Sequence, residues 1–455
     1  KRLILPEDPF CFKRIGRELA EYDVHPPLYF WLLHLWLLIF GVAPFSGPLL
    51  NVLLFLPSAF VLYGLARFWM KNDREAALVT FIWSVSPAVI EVSWIARSYG
   101  LLILWTILFA GVVTRLAGNE KRSHPIRDRI FLGIFAAAGL LTHYAFLYLL
   151  SGGVVYLFIR RIQDIRAAAK NILALLIGVG VVLIFHPRFY HSFLIQRGQA
   201  ARSPYGGLGF RAEKTVTAFL DFFVGSRVIQ REVLIAGAIL TAVFLIYRAI
   251  QPRPGKKLKR LLIPGGEEAL FFLGWIGGLS VLFYLSGINS LQQMGKRYLS
   301  IVYPFLAFLP VLILRFIGKW GRPVAGAFLF LLLLSAVVRV WQYRIDQEQI
   351  PDIDALAGGV KDILIDNTSR LYLPSILCRL PGKNRIFIAD GEILLENPVS
   401  WTEGLTVPAL YFSRAYKDER ARRAEIIVLL KEKYDCEMIS SGFRKWRGIF
   451  RIDSK

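Results

Sequence analysis

The sequence is poor in cysteine and lacks the common short catalytic motifs. Its three cysteines, Cys11, Cys378 and Cys436, are too few for a disulfide framework. Cys378 and Cys436 share the C-terminal region and could pair outside the cytoplasm, or all three could be free thiols. The sequence contains no Cys-x-x-Cys, His-Glu-x-x-His, glycine-rich phosphate loop or Ser/His/Asp nucleophile set. These absences argue against the common zinc, nucleotide-loop and serine-hydrolase sites.

Acidic residues are also scarce relative to basic ones. The chain has 33 Asp and Glu against 55 Lys and Arg, a formal net charge of +22. Such a charge can indicate nucleic-acid binding, but no nucleic-acid-binding motif is present, so we expect no nucleic-acid partner. Most of the cations fall in short loops between apolar runs, where positive residues mark the cytoplasmic side of a membrane.

Long apolar runs are what the sequence has in abundance. Apolar residues make up 55% of the chain, more than the ~45–50% of soluble proteins. Ten runs predict membrane spans, at 47–70, 76–93, 99–117, 130–142, 143–159, 171–186, 233–250, 269–287, 299–317 and 323–341. Alternate loops carry the Lys and Arg clusters, so these loops are predicted to be cytoplasmic. Residues 1–46 and those after 342 then lie outside, and we expect one further membrane helix before Lys1.

The predicted fold class is an all-α polytopic membrane domain followed by a soluble α/β domain. We expect residues 1–46 to form a first extracytoplasmic loop with an interfacial helix, residues 47–344 the multi-span domain, and residues 345–455 the extracytoplasmic α/β domain. In the last of these, patterning predicts helices near 352–364 and 418–434 and strands at 385–389, 435–440 and 446–452.

The stretch from Asp23 to Leu28 has an unusually constrained backbone. Pro26 favours an extended His25, and Pro27 suits the first turn of a helix. The apolar run that follows is too short to cross a bilayer at ~20 residues per span, and it contains aromatic residues typical of a membrane–water boundary. We therefore expect a helix lying in the interface, which holds the acid of Asp23 and the imidazole of His25 at the membrane rim.

Several further polar residues are predicted to lie on the same outer side. They are Glu7 and Asp8; Glu91, Arg97 and Tyr99; and His143, Tyr144, Arg297 and Tyr298. Unrelated polar residues at helix ends should be divided between the two membrane faces. Because all of these residues fall on the outer face, we predict a functional site there. A carboxylate can act as general base towards an acceptor hydroxyl, and a guanidinium can bind an anionic headgroup bidentately.

Structural explanations remain open for each of these residues. Glu7 and Asp8 could form a solvated charge pair, Asp23 could cap a helix, and His25 could be a surface histidine. Glu91 and Arg97 could form an ion pair. His143 could be a hydrogen-bonded residue at a helix end, and Arg297 could extend its side chain towards the membrane surface. A divalent metal is possible through Asp23, His25 and Glu91, but the residues support it only weakly.

On these residues the chain resembles the GT-C superfamily of membrane glycosyltransferases. It is most similar to the protein mannosyltransferase and aminoarabinose transferase branch, which includes the bacterial family 39-like enzymes. The resemblance is carried by Glu7-Asp8, DVHPPLYFWLLHLWLLIFG (23–41), WIARSYGLL (94–102), GLLTHYAFLYLL (139–150) and KRYLSIVYPFL (296–306). Two departures from the family pattern are the Glu-Asp order of the acidic pair and Ile95 in the place of a glutamate.

The resemblance implies inverting transfer of a sugar from a polyprenyl-phosphate donor to a lipid, glycan or protein acceptor on the outer face of the cytoplasmic membrane. It implies Asp8 as the base with Glu7 beside it, and Asp23 and His25 on the acceptor and sugar-phosphate side. The implied donor-phosphate residues are Arg97, Tyr99, His143, Tyr144, Arg297 and Tyr298.

Two other functions are alternatives to an active transferase. One is a lipid-linked sugar transporter or flippase, although the sequence lacks the repeats and midplane charges typical of transporters. The other is a catalytically inactive relative that binds lipid-linked sugar.

Overall fold

The computed structural model describes residues 10–19, 25–41, 43, 45–118, 124–186, 188–189, 208–224, 266–285, 295–317, 321–348, 359–366, 385–389, 405–413, 420–440 and 448–455. The chain divides into two compact units. The helical unit comprises Asp8–Gly41 and Phe45–Val340, and the C-terminal unit comprises Lys1–Glu7, Val42–Pro44 and Trp341–Lys455. The three predicted domains, with boundaries at 46/47 and 344/345, remain predictions.

Helices account for nearly all of the described structure before residue 348. In chain order they are α1 (Phe12–Glu18), α2 (Leu28–Phe40), α3 (Ser46–Met70), α4 (Asp73–Ser84), α5 (Pro87–Ser93), α6 (Tyr99–Ala117), α7 (Pro125–Thr142), α8 (Phe146–Arg161), α9 (Ile165–Phe185), α10 (Leu208–Leu220), α11 (Gly266–Leu285), a 3₁₀ helix (Gly295–Ile301), α12 (Tyr303–Leu306), α13 (Phe308–Ile317) and α14 (Gly321–Glu348).

Four stretches in the described residues are long and apolar enough to cross a membrane. They are Ser46–Met70, Tyr99–Ala117, Ile165–Phe185 and Ala325–Gln342. The bent pair of α4 and α5 would make a fifth. Leu28–Phe40 and Tyr303–Arg315 are shorter apolar helices, and the predicted run at 233–250 lies outside the described residues. The protein is therefore a multi-pass membrane protein with a mostly helical membrane part, as predicted.

Local sequence signals set the turns around α4 and α5. Lys71 adopts a left-handed backbone with φ of 52° and ends α3, and the Asn72 side chain then accepts hydrogen bonds from the Arg74 and Glu75 amides at the start of α4. Ser86 is extended and Pro87 opens α5. The two helices consequently meet at a bend of 61°, within what the sequence predicted as one continuous span.

Buried aromatic rings and ion pairs join the late helices to the early ones. The Trp69 ring of α3 packs against Phe272, Phe305 and Phe308. Near the start of α4, Glu75 pairs with Arg315 of α13. At α5, the Glu91 carboxylate lies 2.6 Å from the Arg339 guanidinium of α14, so the partner found for Glu91 comes from a distant helix rather than from Arg97 in the neighbouring loop.

The C-terminal unit contains a five-stranded mixed sheet. Its strands are β1 (Asp362–Asp366), β2 (Arg385–Ala389), β3 (Ala409–Ser413), β4 (Tyr434–Ser440) and β5 (Gly448–Ser454), with α15 (Arg420–Lys433) between β3 and β4. The strand order is β2-β1-β3-β5-β4. Strands β2, β1 and β3 are parallel, and β5 runs antiparallel to both β3 and β4. The fold class, a helical membrane part with a C-terminal α/β region, is thus confirmed.

Two details of the predicted C-terminal structure are corrected. Residues 362–364 form β1, not the end of a helix near 352–364, and β3 had no predicted counterpart. Both strands are short and their described side chains, at 362–365 and 409–412, are buried, so they lack the alternation of exposed and buried residues that marks a half-buried strand.

Asp362 is the buried polar centre of this sheet. Its carboxylate accepts two hydrogen bonds from the Arg385 guanidinium at 2.8 and 2.7 Å and one from the Thr406 amide at 2.5 Å. Burial alone would raise the pKa of Asp362, but these hydrogen bonds and the charge of Arg385 lower it overall. The ionised form therefore stabilises the fold.

We expect the Asp362 contribution to vanish in acid. Because the folded-state pKa lies below the unfolded value of ~3.9, the stabilisation is present above that pH and is lost as the pH falls below it. The Asp362→Asn variant should unfold roughly 5 °C lower than the wild type at neutral pH, and the difference should shrink in acid. Calorimetry on the full chain in detergent measures this. The matched control is Asp453→Asn, which removes an exposed pair with Arg451 and should change little at either pH.

Candidate active site

His143 lies in the short break between α7 and α8. Helix α7 ends at Thr142, His143 is extended, and α8 begins at Phe146. The ring is 2% exposed, and its Nδ1 accepts a hydrogen bond from the Ala145 amide at 3.0 Å. Burial, and secondarily the charge of His25, lowers the pKa of His143 to about 3. The neutral imidazole therefore carries its proton on Nε2 and acts there as a donor.

Two other predicted residues contact the His143 ring. The His25 ring lies 6.4 Å from it between centroids, and the Tyr99 ring lies 5.4 Å away. His25 is held by the two buried prolines that lead into α2, and Tyr99 is the first residue of α6. Segments far apart in sequence thus meet at one end of α7.

Arg97 approaches the same region from the loop between α5 and α6. Its side chain is half-buried, and its charge acts on the buried hydroxyl of Tyr29, four residues after His25. Burial raises the pKa of Tyr29, while Asn51 and Arg97 act in the opposite direction. Arg97 lies two residues before Tyr99, whose ring contacts His143, and a guanidinium suits an anionic group such as a phosphate.

A second aromatic–imidazole pair adjoins this region. The Tyr144 hydroxyl lies 3.1 Å from Nε2 of His186, and the Phe189 ring packs against both residues. Burial lowers the pKa of His186, so this ring is also neutral near pH 7. Sequence reasoning missed His186 because it closes an apolar run, although its position at a helix end resembles that of His143.

The other predicted site residues either make no described contact with the histidine cluster or lie outside the described residues. Glu7, Asp8 and Asp23 lie outside the described residues. Arg297 is half-buried in the 3₁₀ helix, which packs against α5 and α6, and of Tyr298 only the backbone is described. Within the described ranges, no group of three His, Cys, Asp or Glu side chains could hold a metal ion. Because Asp23 is not described, the possible divalent metal remains an expectation.

An apolar groove of about 680 Å³ follows the crossing of α7 and α9. The two backbones touch there: a Cβ atom on Gly133 would lie 2.8 Å from the Ala174 carbonyl oxygen, and one on Gly178 would lie 2.5 Å from the Gly133 carbonyl oxygen. The groove is lined by side chains on either side of this contact, and it is almost entirely apolar.

The two ends of the groove differ in chemistry. At one end it is lined by Leu28, Leu141 and Phe185, which lie within three residues of His25, His143 and His186 respectively. At the other end it is lined by Arg129 and Lys170. The α7 stretch from Arg129 to Leu141 spans about 18 Å at ~1.5 Å per residue. The groove therefore extends about 18 Å along α7 from its end near the histidines, enough for the first few isoprene units of a polyprenyl tail.

Comparison with known proteins finds one family model that matches part of the chain. Residues 24–191 match the family described as dolichyl-phosphate-mannose-protein mannosyltransferase. The predicted resemblance to the GT-C membrane glycosyltransferases is confirmed. The matched segment runs from the residue before His25 to just beyond Phe189, so it contains His25, Arg97, Tyr99, His143, Tyr144 and His186. No curated protein matches the chain significantly.

Two solved structures can be compared with this chain over most of its length. One is ArnT from Cupriavidus metallidurans bound to undecaprenyl phosphate, with 13% identity, coverage of 99% of this chain and 94% of that chain, and a TM-score of 0.48. The other is the oligosaccharyltransferase of Archaeoglobus fulgidus in complex with zinc and sulfate, with 13% identity, coverage of 97% and 69%, and a TM-score of 0.40.

Proposed function

We propose that this protein is an inverting glycosyltransferase that moves a sugar from a polyprenyl-phosphate donor to an acceptor on the outer face of the cytoplasmic membrane. The observation that carries the proposal is the placement of the groove. An apolar channel suited to a lipid tail begins at the same end of α7 as a cluster of donors suited to a phosphate. The family match over residues 24–191 supports the same reaction class.

In this proposal the lipid donor lies with its tail along α7 and α9 and its phosphate at the histidine cluster. Arg97 neutralises charge on the phosphate, and the Nε2–H of His143 donates a hydrogen bond without adding a charge. Because the surrounding side chains exclude water, these interactions are stronger than they would be in solution. The other residues proposed to bind the donor phosphate are Tyr99, Tyr144, Arg297 and Tyr298.

The proposed reaction is a single displacement at the anomeric carbon. Asp8, with Glu7 beside it, accepts the proton of the acceptor hydroxyl as the new C–O bond forms. The bond from the anomeric carbon to the lipid phosphate breaks at the same time, so the electron pair leaves with the phosphate. Asp23 and His25 hold the acceptor and the sugar-phosphate on the opposite sides that inversion requires.

A pair of neighbouring tryptophan substitutions tests the groove. Ile177 and Leu176 of α9 are 60% and 61% exposed, but only Ile177 lines the groove. Ile177→Trp should fill the channel and raise the KM for a polyprenyl-phosphate sugar roughly tenfold, because it displaces several apolar contacts of the tail. Leu176→Trp, a matched control with the same change on the same helix, should leave KM within about twofold. The assay measures release of polyprenyl phosphate by the purified protein.

Two results would count against the proposed function. One is an absence of lipid-phosphate release with every polyprenyl-phosphate sugar supplied to the wild-type protein. The other is an equal effect of the two tryptophans, because a general disturbance of α9 would then explain both. A donor with a short, water-soluble tail adds a further check, since Ile177→Trp should scarcely alter its KM.

A further inference from the structure

The loop that carries Arg97 has little regular structure of its own. Between α5 and α6, its internal backbone hydrogen bonds include Trp94 to Glu91, Ile95 to Val92 and Arg97 to Ile95. All three are short-range turn contacts, made between residues two or three apart in the sequence. Buried carbonyl groups in such a loop need partners from other elements, so the position of Arg97 depends on what else holds the loop.

Asn51 of α3 supplies that partner. The residue is fully buried, and its side-chain Nδ2 donates to the carbonyl oxygens of both Ile95 and Arg97, the latter at 3.0 Å. A single amide group has two N–H donors, and both are used on this one loop. The contact fixes the backbone on each side of Ala96 and thereby the point from which the Arg97 side chain starts.

The surrounding residues are small where Asn51 and its helix approach the loop. A Cβ atom on Gly100 would lie 3.3 Å from Oδ1 of Asn51, and one on Gly47 would lie 2.6 Å from Cβ of Ala96. Gly47 and Asn51 are one helical turn apart, so they lie on the same face of α3. This face of α3 therefore contacts the Arg97 loop at two positions, Gly47 and Asn51.

The stretch of α3 around Asn51 also packs against α2. Tyr29, fully buried within the segment that begins at His25, belongs to one apolar cluster with Leu50, the residue before Asn51. This stretch thus lies where three segments meet: the start of α2, the first half of α3 and the loop of Arg97. Sequence reasoning assigned no role to Asn51, because a lone asparagine in an apolar run carries no recognisable motif.

We propose that Asn51 is a positioning residue that holds Arg97 in place for the lipid phosphate. This inference rests on the proposed function, and it assigns Asn51 no contact with the substrate. Without the two hydrogen bonds from Asn51, the carbonyl groups of Ile95 and Arg97 would lose their partner and the loop could shift. The Arg97 side chain would then spend part of its time away from the phosphate. Even a displacement of about 1 Å at a catalytic charge is costly in rate.

A double-mutant cycle tests whether Asn51 acts through Arg97. Asn51→Ala should lower kcat/KM for lipid-phosphate release roughly tenfold, the effect of one or two net hydrogen bonds. In an Arg97→Ala background the same change should cost less than about twofold, because the residue being positioned is already absent. Ser58→Ala is the matched control: Ser58 is a buried residue of α3 whose hydroxyl donates within its own helix, to Leu54. It should leave kcat/KM nearly unchanged.

A second measurement is independent of activity. Amide hydrogen exchange over residues 94–100 should accelerate in Asn51→Ala and remain at the wild-type rate in Ser58→Ala. Equal losses of kcat/KM in both backgrounds, or unchanged exchange in Asn51→Ala, would overturn the positioning role. If the wild type transferred no sugar, the proposed function would fail, while the exchange rates and direct binding of polyprenyl phosphate to Asn51→Ala would still decide for or against Asn51.

Discussion

Replacing both acids near the amino terminus, Glu7→Gln together with Asp8→Asn, should lower the turnover number for sugar transfer about 10²–10⁴-fold. The amides keep the size of the carboxylates but cannot accept the proton of an attacking hydroxyl, so general-base catalysis is lost. Binding of the polyprenyl phosphate product should not weaken, because removing negative charge reduces repulsion of an anion. Steady-state kinetics and a direct lipid-binding measurement separate the two effects.

The single variants decide which acid is the base. Because the resemblance implies Asp8 in that role, Asp8→Asn alone should reproduce most of the loss, whereas Glu7→Gln should cost less. Full turnover in the double variant would place the base elsewhere or show that proton transfer is not rate-limiting. A solvent isotope effect that is present in the wild type and unchanged in the double variant would point to the same conclusion.

Replacing Arg97 with alanine should reduce kcat/KM about 10²–10³-fold, a loss typical of removing one group that stabilises developing charge. Arg97→Lys keeps the charge but not the planar pair of donors, so it should recover only part of the activity. The loss should be smaller for a donor with a better leaving group, because less negative charge then needs stabilisation. A series of activated polyprenyl-phosphate sugars measures this trend.

Arg67→Ala is the control for the loss of a positive charge from the membrane part. Arg67, on α3, forms an exposed ion pair with Asp73 at 2.7 Å and belongs to no proposed site. Its removal should leave kcat/KM close to the wild-type value and stability nearly unchanged. If Arg97→Ala and Arg67→Ala behaved alike, Arg97 would have no specific role in the reaction.

The helices were predictable because each signal is local. Apolar runs at 47–70 and 99–117 match α3 and α6 to within one residue, and the run at 171–186 matches α9 except that the helix begins six residues earlier. Where a local signal is ambiguous, prediction fails: the run at 76–93 contains Ser86 and Pro87, which bend it by 61°. The described side chains of β1 and β3, at 362–365 and 409–412, are all buried, so these strands show no periodic pattern.

The candidate site was predictable in its residue types but not in its connections. Polar side chains at helix ends on one predicted membrane face led to His25, Arg97, Tyr99 and His143. Their supporting residues carry no comparable signal, since an asparagine within a membrane run becomes informative only when its partners are known. Asn51 reaches the loop of Arg97, and Glu91 reaches Arg339, through tertiary packing alone.

The contact between Gly133 and Gly178 sets the width of the apolar groove beside it. Main chain meets main chain there, so no change of rotamer can bring α7 and α9 closer together. A methyl group added at Gly133 or Gly178 would push the two helices apart and widen the groove between them. If the groove holds the lipid tail as proposed, a single substitution at this crossing should change which tails bind best.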